Sequence, residues 1–135
     1  MPQIKFDGHV LFIVVSMTER LLSVTTESEI KIEFSQIKGV RTRPAEAYKW
    51  IKGLKVGTDL PRVATDAVYH HTGGQKPDLH LYSKCEQTVA IDLDSHYYGV
   101  IIFQVPDQTP YAVALKIQQE VGLSGAIRDD QDDAK

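Results

Sequence analysis

From the N-terminus to about residue 105 the chain alternates between apolar runs of strand length and short polar breaks, after which the period changes. His9 to Val15 is a continuous apolar and β-branched run, which suits a strand covered on both faces. Ser16, with Glu19 three residues on, has capping-box spacing, and Met17, Leu21 and Val24 recur at helical intervals. This predicts a short helix over 17–25, with an extended segment as the alternative because "LLSVTT" also tolerates that geometry. "SEIKIEF" alternates strictly, with Ile30, Ile32 and Phe34 on one face and Lys31 and Glu33 on the other. "QIKGVRTR" reads as its continuation or as a neighbouring strand, with Gly39 as a bend or bulge. Pro44 to Gly53, which holds the single Trp50, reads as a loop. Further strands are expected at Ala67–His71, Leu79–Ser83, Thr88–Leu93 and Tyr98–Val105. The gaps "TGGQKP", "KCEQ" and "DSHY" are of hairpin length, so an antiparallel meander is the expected topology.

"PDQTPYAVALKIQQEVG" then offers Asp107 or Thr109 as N-cap, Pro110 in the first turn, a stripe of Val113, Ile117 and Val121, and Gly122 as the stop. The expected fold is therefore mainly β: a bent antiparallel sheet or partly open barrel of about seven strands, capped by a C-terminal α-helix, with a short helix after the first strand. Residues 1–122 form the expected domain, and 123–135, "LSGAIRDDQDDAK", read as an acidic, mobile tail.

The length of 135 residues suits one domain that buries roughly two-thirds of its unfolded surface. A composition of 42% hydrophobic and 24% charged residues excludes collagen-like and wholly disordered classes. The net charge of −3 argues against a general nucleic-acid binder. Cys85 is the lone cysteine, which excludes an intrachain disulfide and favours a reducing, cytoplasmic setting. The apolar run at Val10–Val15 is too short for a signal-peptide core or a membrane span.

"GLKVGTDLP", Gly53 to Pro61, is the most distinctive stretch. Together with Ala90-Ile91-Asp92-Leu93, Val105-Pro106-Asp107, the early "MTERLL" and the step from Ile32 to Ile37, it resembles a bacterial group of pleckstrin-homology-like domains. The likeness spans most of residues 9–121, but Arg62 and Ala67 stand where the group often has glycine. The resemblance implies a pleckstrin-homology-like barrel serving as a binding or scaffold module, with no assigned activity. Read from its own residues, Gly57 permits close backbone approach and Pro61 cannot donate to a ladder, so the segment is an edge or crossover.

Three histidines crowd "AVYHHTGGQKPDLHLY". His70 and His71 point to opposite faces of a regular strand, so one metal cannot take both. With Leu79 and Leu81 facing the core, an outer patch of Tyr69, His71, His80 and Tyr82 is expected, with Asp78 and Asp92 near its end. His71, His80 and Asp92 are weak metal candidates, because they lack the ligand spacing of zinc sites. Asp94 and His96 fall in an expected turn. No nucleophile–base arrangement is recognisable, and "HTGGQK" lacks the spacing of a phosphate loop.

Between Lys38 and Arg62 the charge is strongly positive, and Lys38, Arg41, Arg43, Lys55 and Arg62 are candidates for contact with an anion or partner. The leading expectation is a non-enzymatic module without cofactor that binds another protein or a second copy of itself through a strand edge or this basic face. A weak binder of anionic lipid or phosphate is the alternative, and a metal-dependent enzyme ranks last.

Overall fold

A computed structural model of the chain describes residues 3–14, 29–44, 54–60, 64–70, 75–82, 85–105 and 108–130, with backbone alone for 3, 54–60, 64–70 and 85. The expected early helix over 17–25 and the Trp50 loop lie outside the described residues.

The described strands form two sheets rather than one curled sheet or barrel. The smaller is an antiparallel sheet of β1 (Gln3–Asp7), β2 (Val10–Val14) and β3 (Glu29–Glu33). The larger contains β4 (Ile37–Thr42), β5 (Leu54–Leu60), β6 (Ala64–His70), β7 (Asp78–Tyr82), β8 (Thr88–Leu93), β9 (Val100–Gln104) and β10 (Arg128–Asp129). Its spatial order is β10-β4-β8-β9-β7-β6-β5. β1 and β10 are additions to the seven strands expected from the apolar pattern, and β5, at the end of the sheet, is the edge expected for Gly53 to Pro61.

The meander expectation holds at two of its three joints. β6 pairs antiparallel with β7, and β8 with β9. However, "KCEQ" does not close a hairpin: a 3₁₀ turn at Cys85–Gln87 carries the chain past a gap, and β9 then fills that gap parallel to β7. Loop length alone cannot exclude this arrangement, because a short connection can lead away from a strand as readily as back beside it.

Leu11, Ile13, Ile30 and Ile32 of the small sheet join Leu79, Leu81, Val89, Ile91, Ile101 and Phe103 of the large one in a single apolar cluster. β2 and β3 alternate as a half-covered sheet should, and the expectation that β2 is fully buried on both faces gives way to one buried and one half-buried face. Ile37 and Val40 both enter this core although three residues apart. Regular alternation forbids that. The register puts Ile37 opposite Leu93 and Gly39 opposite Asp92, so Lys38 is the extra residue of a β-bulge that resets the faces as expected.

Helix α1 (Pro110–Val121) covers the same core where β4 and β8 meet. Thr109 is the N-cap, its Oγ1 accepting from the Ala112 N–H at 3.2 Å, and Pro110 opens the first turn. Gly122 ends the helix at φ 87°, a left-handed conformation suited to glycine, and the N–H groups of Gly122 and Leu123 both reach the Gln118 carbonyl. Val113, Ala114 and Ile117 are buried and Val121 is half-buried against them, which is the expected stripe.

Residues 123–130, expected as part of a tail, run back over the sheet. Leu123 and Ile127 pack on the core, and β10 pairs in parallel with β4, Arg128 opposite Arg41 and Asp129 opposite Thr42. Residues 131–135 lie outside the described residues. No helix among the described residues is long and apolar enough to cross a membrane.

Candidate functional site

The strand registers align His80, Ile102, Ala90 and Arg41 in one row across β7, β9, β8 and β4. The adjoining row holds Asp78, Val100, Asp92 and Gly39. These rows lie on the face turned away from the main core, because Leu79, Leu81, Ile91, Ile101 and Val40 point the other way.

This second face is not the solvated outside expected from the alternation. His80 retains 3% exposure and Tyr82 8%, beside buried Asp78, Thr88 and Gln104. His80 and Tyr82 share the face away from the leucines as expected, but they are buried there. His80 Nδ1 lies 2.8 Å from the Tyr82 hydroxyl, and the two rings tilt against each other at 5.5 Å. A period-2 pattern reports which residues share a face, but it cannot report whether another layer covers that face. Tyr69 has only its backbone described, and His71 lies outside the described residues.

Asp92 has a different partner from the one the metal reading requires. Arg41 donates through Nε to Asp92 Oδ2 at 2.8 Å and through Nη2 to Asp92 Oδ1 at 2.7 Å, a two-pronged guanidinium–carboxylate contact. Its Nη1 donates to Asp130 Oδ2 at 2.7 Å. Arg128 Nε lies 2.8 Å from the other oxygen of Asp130, whose side chain is 2% exposed. Arg43 Nε spans both oxygens of Asp129, at 3.1 and 2.9 Å. No group of three or more His, Cys, Asp or Glu side chains with metal-holding geometry occurs among the described residues.

Of the basic segment, the structure describes the side chains of Lys38, Arg41 and Arg43. Lys38 is exposed on the bulge, and Arg41 and Arg43 meet carboxylates of the chain. Lys55 belongs to β5, five strand spacings from β4, or about 24 Å at ordinary spacing. Arg62 lies outside the described residues. Asp129 and Asp130 are the residues that sequence reasoning missed. Their signal was an acidic run in a chain with an arginine-rich strand, but nothing in the spacing joins positions nearly ninety residues apart.

Arg43 is one of two non-glycine residues with positive φ among those described, at 43°. It stands directly before Pro44, and its N–H still donates to the Thr88 carbonyl at 3.0 Å. The other is Ser95, at φ 63°, in the loop between β8 and β9. That loop is tied to the 3₁₀ turn Phe34–Gln36 that joins β3 to β4: Gln36 Nε2 donates to the Ser95 carbonyl at 2.7 Å, and the Asp94 N–H donates to the Gln36 carbonyl at 2.8 Å. His96 Nδ1 accepts the Tyr98 N–H at 3.1 Å, so Nε2 carries the proton that faces the Lys31 carbonyl at 3.0 Å. The expected turn at Asp94–His96 is thus a clamp between the sheets.

Comparison with protein-family models, with curated proteins and with solved structures finds no match for this chain.

Proposed function

We propose that this chain is a non-enzymatic binding or scaffold module of pleckstrin-homology-like type, acting in a bacterial cytoplasm, that engages another protein or a second copy of itself along a strand edge. The observation that carries this reading is β5, a seven-residue strand at the end of the seven-stranded sheet with no described strand on its outer side. An edge strand presents a row of backbone donors and acceptors that a partner strand can satisfy. The pleckstrin-homology-like part rests on the "GLKVGTDLP" motif, the β-rich chain and the amphipathic helix laid over the sheet, while β9, lying parallel to β7, departs from a simple meander. An anionic ligand reaching Arg41 and Arg43 must compete with the carboxylates of Asp92, Asp129 and Asp130 that they already hold.

The test is sedimentation across a concentration series, combined with hydrogen exchange of the amides in residues 54–60. Self-association through β5 predicts that these amides gain protection as the oligomer forms. A strict monomer at high micromolar concentration removes the self-associating form of the proposal, and unchanged exchange in β5 when a partner binds removes the edge.

A further inference from the structure

We propose that the β4 edge around Arg41 and Arg43 is a docking groove for an extended acidic segment of another protein, and that the chain's own residues 127–130 occupy it as a built-in competitor. The inference rests on the reading as a binding module but uses a surface other than β5.

Three features single out this contact. Asp92 grips Arg41 through Nε and Nη2 and thereby aims Nη1 at Asp130, so one carboxylate fixes the guanidinium and a second is read by it. Arg43 adopts a left-handed backbone directly before a proline, a conformation strained for a side chain such as arginine, and its guanidinium holds Asp129. The docked segment is bound with little regular structure of its own: two residues pair with β4 while Ile127 packs on the core rim.

The groove therefore reads a pattern rather than a net charge: an apolar residue followed, one residue on, by two consecutive carboxylates. Parallel strand addition gives the backbone contacts, and the two arginines give the side-chain selection. The tether from Gly122 to Ala126 turns through left-handed glycines at 122 and 125, which return the chain from the helix end to β4. A tether this short places the cis segment at roughly millimolar local concentration, so an outside segment must outcompete it.

The test uses a labelled peptide of residues 123–135 and fluorescence anisotropy against the full-length chain. A variant with about ten Gly/Ser residues inserted between Ser124 and Gly125 lengthens the tether about threefold and dilutes the cis segment, so peptide affinity should rise about fivefold. The chain carrying Asp129→Asn and Asp130→Asn should bind the peptide at least about tenfold more tightly than wild type, because its own competitor is weakened. A peptide with the same two substitutions should lose binding. Circular dichroism checks folding, and if the double variant does not fold, the insertion variant decides. Failure of the peptide to bind the insertion variant, equal binding of the substituted peptide, or displacement by inorganic phosphate at peptide-like concentrations would overturn the proposal. Each of these outcomes leaves the β5 exchange test standing.

Discussion

Replacing Arg41 with methionine should destabilise the fold by about 3 kcal/mol, because it strands carboxylates that the fold has partly removed from water. The magnitude follows from where each partner sits. The Arg41 side chain is 13% exposed, Asp130 2% and Asp92 28%. An ion pair in full solvent contributes about 0–1 kcal/mol, whereas removing one partner of a buried pair costs about 3–5 kcal/mol. Asp92 keeps access to water and Arg128 still faces Asp130, which places the loss at the lower end of that range. Asp130→Asn keeps the shape but gives up charge-assisted hydrogen bonds, for about 1.5–3 kcal/mol. In the double variant the methionine no longer faces a buried charge, so the two losses should fall short of their sum by about 1 kcal/mol or more. Urea unfolding gives these quantities from the midpoint, with the slope as the check that the transition is unchanged. High salt should alter the difference little, since buried pairs are poorly screened. A cost below about 1 kcal/mol for Arg41→Met, or strictly additive losses, would refute the reasoning.

Ile117→Ala should cost about 2–5 kcal/mol in the same assay, because Ile117 is fully buried and anchors α1 to the core; a loss under about 1 kcal/mol would mean the helix is not held by its stripe. Tyr82→Phe should cost about 1–3 kcal/mol by leaving His80 Nδ1 without its buried hydroxyl partner, and the thermal midpoint should fall accordingly. The ring nitrogens of His96 should show the Nε2–H tautomer in long-range proton–nitrogen spectra at neutral pH, and the opposite tautomer would contradict the clamp to Lys31 and Tyr98.

Local pattern was enough to locate most elements. Thr109, Pro110 and Gly122 delimit a helix through capping chemistry that operates within a few residues, and Val113, Ile117 and Val121 identify its inner face at helical period. Ile30 and Ile32 mark a half-covered strand for the same reason, and Gly39 marks the bulge that allows Ile37 and Val40 to share a core. All these signals arise between near neighbours, whose geometry is dictated by the backbone itself.

Tertiary structure alone decided the rest. Alternation separated His80 and Tyr82 from Leu79 and Leu81, but only packing revealed that both faces of β7 are buried. Short gaps suggested hairpins, yet β9 lies between β7 and β8 because neighbour choice is a property of the assembled sheet. The arginines of β4 and the aspartates near the C-terminus were both visible as charges, and nothing local linked them. Their pairing depends on α1 ending at Gly122 and the following residues turning back over β4, a long-range closure that one-dimensional periodicity does not encode.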